Sequence, residues 1–154
     1  MKQTNICFLF KDDQVLLGMK KRGFGVGKWN GFGGKLKEGE DIKTSMAREL
    51  REEAGVNVLI EDLKEAGTLK FRFENNSDWD NYCHIFIATN WVGDPSESEE
   101  MLPRWYTITE LPFDSMWVDD SHWLPLVLAG KKIEAEFLFN AEGENILNYK
   151  ILEL

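Results

Sequence analysis

Apolar positions along the chain follow two rhythms. TNICFLF (4–10) and VLLGM (15–19) are short apolar runs separated by KDDQ, the pattern of two strands joined by a polar hairpin turn. LKEAGTLKFRFE (63–74) and YCHIFIATNW (82–91) are longer and rich in branched and aromatic residues, and they flank the polar turn NNSDWDN, so they predict a second pair of strands. RWYTI (104–108) adds another strand, and IEAEFLF (133–139) with NILNYKI (145–151) closes the chain as a hairpin across NAEGE. The rhythm changes in EDIKTSMARELREEAG (40–55), where apolar Met46, Leu50 and Ala54 recur at fourfold spacing. That spacing predicts a helix with Asp41 as N-cap and Gly55 as its stop. WVDDSHWLPLVLA (117–129) opens on acidic and hydroxyl capping residues and continues apolar, which predicts a second helix with Pro125 near its first turns. The order β-β-helix-β-β-β-helix-β-β predicts an α+β fold, a mixed sheet flanked by helices.

At 154 residues and 43% hydrophobic content, the chain is long enough for one domain with a proper core and too short for two, so residues 1–154 are read as a single domain. The first residues lack a small-residue cleavage site, and no stretch approaches the roughly 18 apolar residues of a membrane span. Cys7 and Cys83 sit among apolar neighbours without metal-ligand spacing, which predicts buried free thiols. These features lead us to expect a cytoplasmic protein with no membrane partner, and a monomer.

The net charge of -9 excludes a long nucleic-acid polymer as partner, because phosphate tracking needs the opposite balance. The charge is uneven, however. Residues 20–37 (KKRGFGVGKWNGFGGKLK) hold six Lys or Arg, six glycines and no acid. A basic, glycine-rich segment just before an acidic helix suggests a loop that shields phosphates, with Lys20 the best candidate for direct contact.

The strongest chemical signal is Gly34, then Glu40, then Arg48-Glu49-Leu50-Arg51-Glu52-Glu53-Ala54-Gly55-Val56. At about 100° per residue, Glu49, Glu52 and Glu53 fall within roughly 100° of helix arc, beside the apolar stripe. Their mutual repulsion calls for a cation, and a hard divalent ion with oxygen ligands is the natural partner. An ordinary solvated face, with Glu52 and Glu53 paired to Arg48, is the alternative for an isolated E-x-x-E-E. The glycine loop in front argues against it.

This spacing resembles the Nudix box at every fixed position. The resemblance implies the Nudix fold, an α/β/α sandwich, and cleavage of a phosphoanhydride with Mg2+, for which Mn2+ can substitute. It implies Glu52 and Glu53 as metal ligands, Glu49 as ligand or base, the Gly33 carbonyl as a further ligand, and Glu100 as an additional carboxylate of the site. Arg48 and Glu40 would orient this set.

Beyond the box, GMKKRGFGVGKWNGFGGK and PFDSMWVDDSHWLPL resemble the members of that family that hydrolyse oxidised purine nucleoside triphosphates. The small-molecule substrate implied is an oxidised purine nucleotide of the 8-oxo-dGTP or 2-hydroxy-dATP type, cut to monophosphate and pyrophosphate. Its base would stack on Trp117 and face Asp119 and Asp120, with Asn30 on the purine edge and Phe24, Phe71 and Phe73 as walls. Two acids on one base edge share a proton, since desolvation and like charge raise one pKa. In this reading Asp120 is ionised and accepts from the base, while Asp119 is neutral and donates. Asn5 and Asn81 depart from the family pattern, where a small hydroxyl residue and a methionine stand, and both are expected to add polar groups near the base. His84 and His122 are read as packing residues. The alternatives are a Nudix hydrolase for another linked diphosphate, or a nucleotide-binding module without turnover.

Overall fold

The structure, a computed structural model, describes residues 1–154. Eight strands form one mixed sheet: β1 (Lys2–Lys11), β2 (Gln14–Lys20), β3 (Trp29–Asn30), β4 (Lys64–Phe73), β5 (Asn81–Ala88), β6 (Met101–Thr107), β7 (Ile133–Phe139) and β8 (Ile146–Glu153). Along the sheet the order is β3-β2-β1-β5-β4-β7-β8, with β6 also paired to β2. β1 runs parallel to β5 and β4 parallel to β7, and the remaining pairs are antiparallel.

Period-two alternation sends the side chains of each central strand to two different cores. Ile6 and Phe8 of β1 join Val15, Leu17, Trp123 and Leu124 on one face, where helix α2 (Asp120–Leu128) packs. Cys7 and Leu9 join Leu16, Phe32, Met46 and Leu50 on the other, under helix α1 (Ile42–Ala54). The result is the expected α/β/α sandwich, and no helix is long and apolar enough to cross a membrane.

Both ends of α1 follow the expected caps. Asp41 accepts a hydrogen bond from the Thr44 N–H at 3.0 Å, and Gly55 takes the left-handed conformation at φ 72°. In α2, Pro125 lies in the second turn, exposed to solvent. Both cysteines are buried and free.

Three boundaries differ from the sequence reading. β3 is a two-residue strand inside the glycine-rich segment, held by Gly18↔Asn30 and Met19↔Trp29, and too short to leave a periodic signal. β5 ends at Ala88. β6 begins at Met101 and carries Pro103.

Candidate active site

The glycine segment crosses the open end of β1. Asn5 N–H donates to the Gly34 carbonyl at 3.0 Å, and Cys7 N–H to the Phe32 carbonyl at 2.8 Å. The approach leaves no room for side chains. A Cβ on Gly33 would lie 1.9 Å from the Asn5 carbonyl oxygen, and one on Gly34 would lie 2.8 Å from Glu49 Oε1. The glycines therefore let the loop lie on β1 and against the glutamate helix.

That helix is organised by Arg48. Its guanidinium grips Glu40 with two bonds, Nε to Oε2 at 2.7 Å and Nη2 to Oε1 at 3.0 Å, and its Nη1 reaches Glu49 at 3.2 Å and Glu52 at 3.0 Å. The Arg48 bonds hold the Glu40 carboxyl down at about 2. Glu52 lies on the outer side, half exposed, with Arg48 as its partner.

Glu53 points inward and is 4% exposed. Its Oε1 accepts the Gly33 N–H at 2.9 Å. Burial, followed by the Glu49 charge, pushes its carboxyl up to about 8, although the Gly33 N–H and Lys20 oppose the shift. Burial also raises Glu49. Glu100 stands close enough to act on both charges, while its own carboxylate leans toward Arg22 at 3.5 Å. Glu97 and Glu99 pair with Lys21 and Arg22 and take no part in this group. No three acidic or imidazole side chains yet converge as a closed metal shell.

Next to this helix opens a cavity of about 290 Å³. Gly33, Gly34 and Lys20 border one part of it, and Asp119, Asp120 and Trp117 another. Phe71 and Phe73 line its β4 side, with Asn30 and Phe24 contributed by the glycine-rich segment. Phe24 stacks on Trp117 with ring centroids 5.1 Å apart, and the Lys28 ammonium lies 5.1 Å from the same ring.

Asp119 and Asp120 are both buried at the start of α2, but neither caps it as a simple N-terminal acid. Asp119 Oδ2 accepts the Trp123 indole N–H at 2.8 Å, and Asp120 Oδ2 accepts the Trp117 backbone N–H at 3.2 Å. Burial lifts Asp119 to about 6, against the Trp123 bond. Burial and the neighbouring Asp119 charge push Asp120 well above the usual carboxylate range. Both carboxyls are thus raised by burial side by side, and each holds one N–H donor, the Trp123 indole for Asp119 and the Trp117 backbone for Asp120.

Asn5 borders the cavity, as expected, but its amide has partners the sequence reading did not include. Nδ2 donates to Ser45 Oγ at 3.0 Å and Oδ1 accepts the Gly34 N–H at 3.1 Å, so the side chain braces the glycine loop. Thr4, one residue earlier, takes the cavity side: its hydroxyl donates to Asn81 Oδ1 at 3.0 Å. Asn81 does border the cavity, as expected. Thr4, Lys28 and Trp123 are cavity residues that the sequence reading missed. The even-residue face of β1 could have indicated Thr4, but only with the parallel β1–β5 register in hand.

A buried carboxylate helix under a glycine loop, on a mixed sheet between two helices, defines a Nudix hydrolase. Residues 1–127 match the NUDIX domain, and the chain belongs to the Nudix family. It is 44% identical to the oxidized purine nucleoside triphosphate hydrolase of Mus musculus, over 97% of this chain and 93% of that one. The corresponding enzyme of Danio rerio is 43% identical over 99% and 96% of the two chains. Among solved structures, a MutT protein from Bacillus halodurans superposes with a TM-score of 0.84 at 25% identity, covering 98% of this chain and 97% of its own.

Proposed function

We propose that this enzyme hydrolyses oxidised purine nucleoside triphosphates to the monophosphate and pyrophosphate, removing them from the nucleotide pool. The observation that carries this reading is that one cavity joins the Asp119–Asp120 pair to the Gly33–Gly34 loop and Lys20. A nucleotide whose base meets the two acids thus extends its phosphates toward the glutamate helix. The near full-length likeness to two oxidised-purine hydrolases supports the same assignment.

The donor set fits a hard divalent cation such as Mg2+, with Mn2+ as a substitute. It consists of oxygens alone, from Glu49, Glu52, Glu53, Glu100 and the Gly33 carbonyl. Glu53 makes the fit specific, because its carboxyl is buried, its only hydrogen bond is to Gly33 N–H on Oε1, and its Oε2 takes none. When bound, the metal polarises the phosphoryl oxygens and neutralises charge on the leaving pyrophosphate.

The chain's own groups do the rest. Arg48 keeps Glu49 and Glu52 in register with Glu40. Glu49, whose carboxyl burial raises, is the group we assign to take a proton from the attacking water. Lys20 offsets the phosphate charge at the cavity. The Asp119–Asp120 pair, sharing one proton, offers an acceptor and a donor across the purine edge, while Trp117 and the phenylalanines exclude water from it.

Pyrophosphate release from 8-oxo-dGTP and from dGTP, with magnesium, tests the substrate. A rate on 8-oxo-dGTP far above that on dGTP is expected. Equal rates on the two would remove the oxidised-purine reading and leave the Nudix chemistry in place.

A further inference from the structure

Phe24 is 60% exposed, yet its ring is held from two sides. On one it stacks on Trp117; on the other the edge of Trp79 meets it at 4.8 Å and 64°. Without these rings little would fix it. Its segment has Gly23, Gly25 and Gly27 all at positive φ, and the backbone bonds of residues 23–28 close only local turns and the neck at Lys20.

Trp79, in contrast, is a firm post. It ends a 3-10 turn between β4 and β5 and packs at 5.5 Å, edge to face, on Phe73, whose ring in turn stacks on Phe139 at 5.1 Å. The turn is tied to the β7–β8 turn by Asn76 Nδ2 donating to the Ala141 carbonyl at 2.9 Å. The Trp79 carbonyl accepts from Asn81 Nδ2 at 3.1 Å, and Asn81 in turn accepts from the Thr4 hydroxyl. A continuous path therefore runs from the cavity floor, Thr4 to Asn81 to Trp79, and then through Phe24 to Trp117.

We propose that Trp79 is a specificity-determining positioning residue, which latches Phe24 over Trp117 and so sets the width of the slot that receives the purine. Asn81 serves this latch by holding the Trp79 peptide. The inference rests on the reading that this cavity binds the base. It assigns Asn81 a role in shaping the slot through another residue, in place of a direct polar contact.

The test is a double-mutant cycle on the full-length enzyme with two readouts. Trp79→Ala should raise KM for 8-oxo-dGTP about tenfold while kcat changes less than threefold, and should narrow the preference over dGTP. Trp79→Phe, which keeps an aromatic edge, should recover most of the loss. In a Phe24→Ala background, Trp79→Ala should add little, because the two residues act as one unit. Trypsin cleavage after Lys21 and Arg22 in the folded enzyme should speed up about fivefold in Trp79→Ala and return near wild type in Trp79→Phe.

Independent, additive effects of Phe24→Ala and Trp79→Ala on KM would overturn the latch. So would a Trp79→Ala loss confined to kcat, or wild-type loop cleavage in that variant. If Trp79→Ala does not fold, Trp79→Phe and Trp79→Leu decide: equal KM and equal cleavage in these two overturn the proposal, and a defect confined to Trp79→Leu supports it. Wild-type rates on oxidised and ordinary purines judge the substrate reading separately, since loop cleavage needs no substrate and the cycle can be run on any nucleotide the enzyme turns over.

Discussion

The glutamate helix and the cavity at α2 each hold a pair of interacting carboxyls, with Glu53 buried and Glu49 partly so in the first and both aspartates buried in the second, but they are built in opposite ways. At the helix, Glu49 and Glu53 are four residues apart on one element, and a single arginine manages the surrounding charge. At the cavity, Asp119 and Asp120 are adjacent in sequence and receive their partners from Trp117 and Trp123, with walls drawn from β1, β4, β5 and the glycine-rich segment. Burial raises Glu53 to about 8, and a cation can relieve that by stabilising the charge. Burial raises both aspartates as well, and there the neighbour is a second carboxyl. The same physics thus suits the proposed metal ligand in one place and the proposed proton-sharing pair in the other.

The largest effect expected of a single substitution lies on the helix. Glu53→Gln should reduce kcat by about three orders of magnitude or more while nucleotide binding largely survives. Steady-state kinetics alongside calorimetric titration of nucleotide would show it, and an unchanged kcat would dismiss Glu53 from the chemistry. The same variant carries a stability signature. Glu53 binds its proton more tightly folded than unfolded, so between the ordinary carboxylate range and about 8 the metal-free wild type loses stability as pH rises. Glu53→Gln should melt higher than wild type at pH 8, with the gap closing toward pH 5. Magnesium should close it as well.

The next effect lies in the cavity. Asp120→Ala should raise KM for the oxidised purine about a hundredfold, the scale of leaving the purine edge unpaired in a buried site, with a much smaller change in kcat. Purine affinity of the wild type should fall as pH drops through about 6, where Asp119 takes up its proton and the pair loses its acceptor. It should also fall at alkaline pH, once Asp120 loses the donor proton. Asp120→Asn, which cannot lose that proton, should abolish the alkaline limb alone; a limb that persists there would place the titrating group elsewhere.

Arg48→Ala should lower kcat/KM by roughly ten- to a hundredfold, as expected when the residue that orients a ligand set is removed. Because Arg48 touches no part of the base cavity, the ratio of rates on 8-oxo-dGTP and dGTP should stay constant. The smallest effect separates the two regions most directly. Asn5→Ala should cost about 1–3 kcal/mol of stability through the unpaired Gly34 N–H and Ser45 hydroxyl, measurable by denaturant unfolding. The oxidised-purine preference should be unaffected, since the Asn5 amide is spent on Gly34 and Ser45; altered preference would give Asn5 a direct part in base recognition.

These regions were not equally legible. Arg48, Glu49, Glu52 and Glu53 declare themselves because helical periodicity brings side chains three and four apart together before any tertiary contact forms. The second helix and most strands were also legible from local apolar rhythm, except β3, whose two residues carry none. The cavity residues, by contrast, were reached through family resemblance, and their hydrogen-bond partners were not legible. Asn5 borders the cavity but spends its amide on Ser45 and Gly34, and Asp119 meets the Trp123 indole. Neither the direction of a strand face nor the Trp123 indole beside Asp119 can be read from adjacent residues.

The amino-acid order alone determined most of the strands, the two helices that flank them, and the capped glutamate helix with its glycine-rich lead-in, since each depends on interactions within a few turns or on plain alternation. Only the tertiary structure decided that Asn5 braces Gly34, that Thr4 and Asn81 reach up to Trp79, and that Asp119 and Asp120 are buried against the Trp123 and Trp117 N–H groups. Those outcomes depend on the parallel pairing of β1 with β5 and on burial at the start of α2, where distant segments set the dielectric and the hydrogen-bond partners.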